Sequence, residues 1–170
     1  MDLGLRGRRA LITGGSRGIG FAVAEALAAE GAAVGLVARD AAGLAEAAGR
    51  LEPRGVPVAT AAADVTDTPA LQRAVAEIAS ALGGLDHLVA NAGGTVGTGN
   101  LTSAADDEFT ATFALNAGHA VELIRAGRPH LQAAGGGAVV IISSVTGMRP
   151  APRTAPSSRL RRCTRPAGPS

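Results

Sequence analysis

The residues best placed to do chemistry lie in one glycine-rich stretch, TGGSRGIG at 13–20. It directly follows an apolar run, RALIT at 9–13, and opens an Ala-rich segment with helical spacing. Gly14, Gly18 and Gly20 allow the backbone to turn tightly and to approach a phosphate without an intervening Cβ. A helix that begins here would aim free N–H groups at such an anion. The stretch therefore predicts a site for a nucleotide pyrophosphate, and the alternative is an ordinary glycine-rich turn.

The elements that must position this turn follow from the hydrophobic pattern. Five apolar runs alternate with Ala-rich amphipathic segments, which predicts the order β-α-β-α-β-α-β-α-β. The runs are continuous, as expected of strands in a parallel sheet covered on both faces. The pattern indicates an α/β fold with a Rossmann-type doubly wound parallel sheet. The predicted strands are 9–13, 33–38, 56–62, 86–90 and 138–143, and the predicted helices are 18–30, 41–52, 68–82 and 106–134.

Composition excludes several classes of protein. The chain of 170 residues is 46% hydrophobic, which is enough for one core packed mainly from aliphatic side chains. It has no run near ~20 uninterrupted apolar residues, so we expect no membrane span, and we see no signal peptide. The single Cys163 has no Cys or His neighbours at metal-ligand spacing, which favours a cytoplasmic location and predicts no metal site.

Charge is concentrated at the end of the chain. All 16 basic residues are Arg, and residues 151–170 hold five of them with no acid. The alternation of strands and helices stops after Arg149, so we predict a nucleotide-binding domain at 1–150 and a disordered, basic Pro/Arg tail at 151–170. The tail offers only salt-sensitive attraction to phosphates and no aromatic stacking, so we expect no nucleic-acid partner.

The spacing Gly-x-x-x-Gly-x-Gly differs from both G-x-G-x-x-G and a P-loop, and it resembles the short-chain dehydrogenase/reductase family. Further matches follow in the family's order over residues 5 to about 156. The matching residues are Asp64-Val65, NAG at 91–93, Asn116 and SSVTG at 143–147. The chain is similar to 3-oxoacyl carrier-protein reductases, and the resemblance implies a strand order of 3-2-1-4-5, with about five of the family's usual seven strands.

The resemblance also implies a nicotinamide dinucleotide cofactor. In such proteins the glycine turn holds the cofactor phosphates, an acid after the third strand contacts adenine, and the turn after the fourth strand lines the cofactor. The residues that match these roles are Gly14, Ser16, Arg17, Gly18, Ile19, Gly20, Asp64, Val65, Asn91, Ala92 and Gly93.

The end of the second strand bears on which dinucleotide is expected. An acidic residue there would bond a ribose 2′-hydroxyl, whereas a positive residue would pair with a 2′-phosphate. The chain has Arg39 at this point and Arg17 in the turn, so NADP(H) is favoured over NAD(H). The alternative for Arg39 is a solvated charge at a strand end.

The family's catalytic apparatus combines Ser, Tyr, Lys and Asn. Ser144 and Asn116 match the Ser that bonds the substrate carbonyl and the Asn that holds a relay water. Counting from Ser144 places Ser157 and Arg161 at the Tyr and Lys positions, and the chain contains neither Tyr nor Lys. A Ser hydroxyl is a much weaker acid than a phenol, and an Arg stays protonated, so this pair cannot replace them.

The change in composition near Pro156 suggests the reason. We interpret it as a frameshift or C-terminal truncation, with a genuine basic tail as the alternative. The family's homo-oligomeric interface would then be incomplete and the fifth strand would be an exposed apolar edge, which predicts aggregation.

Two functions follow from these observations. One is an NADP(H)-dependent oxidoreductase that transfers a hydride between the nicotinamide and a small carbonyl or alcohol substrate. The other is a catalytically inactive nucleotide-binding remnant, and nucleic-acid binding by the Arg tail is a third, weaker alternative. His87, His119 and His130 match no motif, and we expect them to be structural or surface residues.

Overall fold

A computed structural model of the chain describes residues 3–97 and 104–144, and the elements within these ranges follow the predicted order. Pro57 explains the late start of the third strand, because it has no N–H for the strand ladder and contributes only its carbonyl, to Val34 N–H at 3.0 Å. The strands are β1 Arg9–Thr13, β2 Ala33–Ala38, β3 Val58–Ala62, β4 His87–Ala90 and β5 Ala138–Ile141. The helices are α1 Gly18–Ala29, α2 Ala41–Leu51, α3 Thr68–Leu82, α4 Asp106–Phe113 and α5 His119–Ala133, with a 3-10 turn at Glu52–Arg54 and a π segment at Ala114–Gly118.

The strands form one parallel sheet in the order β3-β2-β1-β4-β5, which confirms the predicted topology. β1 is central, with Thr13 paired in register with Val37 of β2 and Ile12 paired with Val89 of β4. The strand order reverses between β1 and β4, and all five parallel strands have their carboxyl ends on the same side of the sheet. This is the point in such sheets where ligands bind.

Both faces of the central strands are buried, as the continuous apolar runs predict. Leu11 on one face belongs to a buried cluster that includes Ile78 of α3 and Leu123 of α5. Ala10 and Ile12 pack on the opposite face with residues of α1 and α2. The glycine turn after Thr13 is therefore attached to a strand that is held from both sides.

The helix predicted over 106–134 is divided by the π segment. The N–H of His119 donates to the carbonyl of Ala114, five residues earlier, which widens the helix around Asn116. The Asn116 side chain bonds the backbone of the loop that follows β4, as described below. A periodicity argument cannot detect such a local widening, because the apolar spacing is nearly unchanged.

The chain divides into two compact units. The first comprises 1–94 and 113–142 and contains the sheet, and the second comprises 95–112 and 143–170. Within the second unit, the N–H of Val96 donates to Thr112 Oγ1 at 3.1 Å.

Some predictions fall outside the described residues. Residues 145–170, with the predicted basic tail, Ser157 and Arg161, lie there, and so the predicted division at residue 150 stays a prediction. Among the helices that the structure does describe, none has the length and apolar character needed to cross a membrane.

Candidate nucleotide-binding site

The glycine turn at 14–17 joins the end of β1 to the start of α1. Gly14 has φ +66°, and its N–H donates to the Val37 carbonyl at 2.7 Å. A Cβ at Gly14 would lie 2.9 Å from Nδ2 of Asn91, so a side chain there is excluded by space as well as by backbone conformation. Gly18 has φ +59°, but a Cβ at this residue would enter open space. The turn thus combines one tightly packed glycine with one that leaves room above it.

The N-terminus of α1 differs from those of α2 and α3. Asp40 and Asp67 cap α2 and α3 by accepting backbone N–H bonds at 3.1 and 3.0 Å, respectively. Arg17, at the N-cap of α1, has an extended backbone, and within the described residues its side chain makes no capping bond. The first-turn N–H groups of α1 and the positive end of its dipole therefore suit an anion such as a phosphate.

A cleft of about 820 Å³ opens at the carboxyl ends of the strands and lies within the first unit. Its size is within the range of ~300–1,000 Å³ that is usual for ligand sites. Ile19 and Gly20 do not line it: Ile19 is an exposed residue of α1, and Gly20 packs closely against Gly14. The predicted residues that the structure brings together in its lining are Gly14, Ser16, Arg17, Gly18, Arg39, Asp64, Val65, Asn91, Ala92 and Gly93.

Opposite charges meet where β2 and β3 end. Asp64 Oδ1 accepts hydrogen bonds from the N–H and the Oγ1 of Thr66, at 2.9 and 2.7 Å. These bonds are the main cause of a pKa for the Asp64 carboxyl below its usual range, and the nearby charge of Arg39 lowers it further. Asp64 is therefore ionised and held in one orientation. The neighbouring Asp40 is also exposed and caps α2 with its carboxylate, so Arg39 contributes the positive charge at the end of β2.

Sequence reasoning missed one arginine of the cleft. Arg50 lines it from the last turn of α2, and the carbon of its guanidinium lies 3.9 Å from the ring centroid of Phe21. This cation–π contact holds the side chain against α1. No local motif indicates Arg50, because its place in the cleft depends on the contact between α2 and α1. Gly43, Glu46 and Leu115 are further lining residues that the sequence did not indicate.

Thr13 is the centre of a polar network at the base of the cleft. Its Oγ1 accepts the N–H groups of Asn91 and Ala92 at 3.0 and 3.1 Å. In return, Asn91 Nδ2 donates to the carbonyls of Thr13 and Gly14 at 3.0 and 3.3 Å. These bonds join the ends of β1 and β4. The only sequence signal for Thr13 is a polar residue that ends an otherwise apolar strand.

The side-chain amide of Asn116 makes two hydrogen bonds with the backbone of one residue, Gly94. Its Nδ2 donates to the Gly94 carbonyl at 2.6 Å, and its Oδ1 accepts the Gly94 N–H at 3.1 Å. A Cβ at Gly93 would lie 2.8 Å from that Oδ1, so the loop approaches the π segment closely. Ser144, the other matched catalytic residue, belongs to the second unit and is exposed.

His119 is buried, only 2% exposed, at the start of α5. Its Nδ1 lies 2.6 Å from the Leu115 carbonyl oxygen, and its Nε2 lies 3.3 Å from Thr13 Oγ1. Burial lowers the pKa of the imidazole, against a smaller opposing effect of the Leu115 carbonyl. The sequence indicated a structural or surface role for His119 and no place in the site, but the side chain contacts Thr13 of the polar network.

The family follows from a direct match. Residues 8–158 match the model of the short chain dehydrogenase family, and the chain belongs to that family. A tropinone reductase homolog of Arabidopsis thaliana is 37% identical over 145 residues, which is 85% of this chain and 53% of that protein. The chain spans about half the length of the curated relatives it matches.

Solved structures agree with the fold. L-sorbose reductase from Gluconobacter frateurii, determined with NADPH and L-sorbose, is 40% identical with a TM-score of 0.85, over 91% of this chain and 59% of that one. Carveol dehydrogenase from Mycobacterium avium, determined with NAD, is 32% identical with a TM-score of 0.82, over 88% of this chain and 58% of that one. Similar proteins therefore bind either nicotinamide dinucleotide.

Proposed function

We propose that this chain binds a nicotinamide dinucleotide in the cleft, with the pyrophosphate over the glycine turn. The observation that carries the proposal is the open space above Gly18 beside the N-terminus of α1, which no side chain of the described residues caps. A diphosphate would fill that space and accept the first-turn N–H groups. The two similar structures that contain NADPH or NAD support the same ligand class.

The proposal includes a preference for NADP(H) over NAD(H). Its support is the pair of arginines that line the cleft, Arg17 at the N-cap of α1 and Arg39 directly after β2. Asp40, the acid nearest in sequence, accepts the N–H of Ala42 and is thereby occupied in capping α2. The similar structures do not decide the preference, because they include both cofactors.

The reaction we propose is hydride transfer between the cofactor and a small carbonyl or alcohol substrate. The nicotinamide, when bound, supplies or accepts the hydride. In reduction, the hydride would add to the carbonyl carbon and a proton from water to the carbonyl oxygen. Ser144 would bond that oxygen, and Asn116, held by Gly94, would support the water. The single Cys163 supports a cytoplasmic setting for this reaction.

A second candidate is nucleotide binding without catalysis. The observation that favours it is that these 170 residues include neither Tyr nor Lys, and Ser157 and Arg161 stand at the expected spacing from Ser144. Reduction of a carbonyl needs a proton donor near neutrality, and neither a Ser hydroxyl nor an Arg guanidinium is one.

Titration of the purified chain with NADPH and with NADH, followed by nicotinamide fluorescence, tests the binding proposal. We expect tighter binding of NADPH, and a loss of about 10-fold or more in NADPH affinity in Arg39→Gln, because a charge-assisted bond to the 2′-phosphate contributes ~1.5–3 kcal/mol. NADH affinity should change little in the same variant.

Arg73→Gln is the matched control, since Arg73 is exposed on α3 and is not part of the cleft lining. An equal loss in Arg73→Gln would attribute the effect to net charge alone. Equal affinity of the unmodified chain for both cofactors would overturn the preference, and binding of neither would overturn the nucleotide site.

Turnover separates the two candidate functions. NADPH oxidation is followed with a panel of small aldehydes and ketones, first with the unmodified chain and then with Ser144→Ala. Oxidation that Ser144→Ala abolishes supports the oxidoreductase. NADPH binding without oxidation of any substrate supports the noncatalytic function.

A further inference from the structure

A buried pair of side chains lies directly beneath the proposed cofactor cleft. Thr13 is 0% exposed and His119 is 2% exposed, and both belong to the first unit. Thr13 Oγ1 and His119 Nε2 are 3.3 Å apart. The pair connects the start of α5 to the strand that carries the glycine turn.

The tautomer of His119 follows from its second contact. Its Nδ1 lies 2.6 Å from the Leu115 carbonyl oxygen, which is an acceptor only. Nδ1 must therefore carry a proton and donate it. In the neutral imidazole this leaves Nε2 as an acceptor, facing the Thr13 hydroxyl.

The Thr13 hydroxyl can supply the matching proton. A hydroxyl has two lone pairs and one proton, and both lone pairs of Thr13 Oγ1 are taken by the N–H groups of Asn91 and Ala92. Its single proton has two acceptors within reach, His119 Nε2 at 3.3 Å and the Val89 carbonyl at 3.4 Å. A protonated His119 would present a third donor to an oxygen with no lone pair left for it.

We propose that His119 is a positioning residue of the cofactor cleft: its neutral imidazole accepts the Thr13 hydroxyl proton and thereby holds Thr13 Oγ1 against the backbone amides of Asn91 and Ala92. Asn91 and Ala92 line the cleft. The orientation of the buried Thr13 hydroxyl therefore affects the position of the backbone that forms this part of the cleft wall. The inference rests on the proposed function for its ligand, NADPH, but the hydrogen-bond arrangement is independent of that ligand.

The arrangement has a pH dependence with a definite sign. Burial lowers the pKa of His119 from its ordinary value of 6.5, and no charged side chain of β1, β4, α3 or α5 within the described residues contributes. The unfolded chain therefore takes up the proton at a higher pH than the folded chain does. Stability conferred by the neutral imidazole is complete above 6.5, falls as the pH drops through 6.5, and levels off below the folded pKa.

Long-range ¹H–¹⁵N NMR of the unliganded chain tests the arrangement first. At pH 7.5 we expect the His119 signals to show a protonated Nδ1 and an unprotonated Nε2, with titration only below the ordinary range. His87 in β4 and His130 in α5 also give histidine signals, and the spectrum of His119→Gln identifies which signals belong to His119. The opposite tautomer, or titration at an ordinary value, would overturn the proposal without reference to any cofactor.

Cofactor affinity tests the positioning role. His119→Gln keeps an acceptor oxygen, whereas His119→Met has a similar size without a strong one. We expect NADPH affinity at pH 7.5 to fall about 5- to 30-fold in His119→Met and to stay within about 3-fold in His119→Gln. His130→Gln is the control for the same substitution elsewhere on α5.

A purely structural role predicts a different outcome, because Gln and Met would then impair binding equally. Equal NADPH affinity in the unmodified chain and in His119→Met would also overturn the positioning role. If the unmodified chain does not bind NADPH, the proposed function fails, and the NMR tautomer still decides the inference about His119. If His119→Met does not fold, the pH dependence of NADPH affinity decides it instead: a fall below the ordinary histidine range that is absent in His119→Gln supports the positioning role, and the same dependence in both overturns it.

Discussion

Two strands of the same sheet, β1 and β5, contain similar aliphatic residues in opposite surroundings. Ala10, Leu11 and Ile12 in β1 are 0% exposed, whereas Val140 and Ile141 in β5 are 49% and 54% exposed. β1 has a strand on each side and helices on both faces, and β5 lies at an edge of the sheet that the structure describes. The comparison shows that an apolar run predicts a strand, whereas its neighbours decide its burial.

The same contrast separates the binding residues from Ser144, one of the two predicted catalytic residues. The glycine turn and Asn91 are attached to β1 and β4, whose positions are determined by packing and by the Thr13 network. Ser144 follows the exposed strand β5 and is itself exposed. The part of the molecule suited to a cofactor is thus the part that buried strands and a hydrogen-bond network hold in place.

The largest expected effect compares the same residue type in the two strands. Ile12→Ala removes a fully buried side chain from the core and should lower the free energy of unfolding by about 2–5 kcal/mol. Ile141→Ala removes an exposed side chain and should change it by less than about 0.5 kcal/mol. Urea denaturation followed by circular dichroism measures both. Similar losses in the two variants would mean that β5 is buried in solution.

A second, smaller change in stability is expected from substitutions at two glycines of the turn, Gly14 and Gly18. Gly14→Ala and Gly18→Ala both place a Cβ at positive φ, which costs about 1–2 kcal/mol. Gly14→Ala also crowds Asn91 Nδ2, whereas the Cβ of Gly18→Ala enters open space. We expect Gly14→Ala to lose about 1 kcal/mol more stability than Gly18→Ala.

NADPH binding should reverse this order of severity. The Cβ of Gly18→Ala enters the space proposed for the pyrophosphate, so its affinity should fall although the fold tolerates it. Undiminished NADPH binding by Gly18→Ala, measured by the same fluorescence titration, would argue against a pyrophosphate at this point.

The smallest expected change in stability is at the exposed strand. Val140→Lys places a charge on β5, where the edge of the sheet within the described residues and its apolar side chains favour association. We expect less concentration-dependent aggregation, measured by light scattering, with the free energy of unfolding changed by less than about 0.5 kcal/mol. Thr110→Lys, at an exposed residue of α4, is the control for added charge. Equal improvement in both variants would exclude the β5 edge as the cause.

Much of the fold could be predicted because its signals are local. The helix at 68–82 and the strands at 9–13 and 33–38 were predicted to the residue, and the other three strands are one or two residues shorter than predicted. Most of the predicted cofactor residues line one cleft, because they follow strands whose carboxyl ends must meet in a parallel sheet. Ile19 and Gly20 lie outside the lining, since a helical turn directs successive residues to different sides.

The rest depends on contacts between distant parts of the chain. The π segment at Ala114–Gly118 accompanies the bonds between Asn116 and Gly94, which lie 22 residues apart in sequence. Arg50 enters the cleft because Phe21 on another helix supports its guanidinium. Neither relation leaves a periodic pattern in the sequence.

What the sequence by itself determined is the alternation of strands and helices, the glycine turn between β1 and α1, and the absence of Tyr and Lys from these 170 residues. Only the tertiary structure decided that β1 is buried while β5 is exposed, and that Thr13 and His119, 106 residues apart, share a hydrogen bond. The physical reason is that backbone conformation and periodic burial follow from neighbours along the chain. Exposure and the pairing of buried polar groups depend instead on which elements pack together.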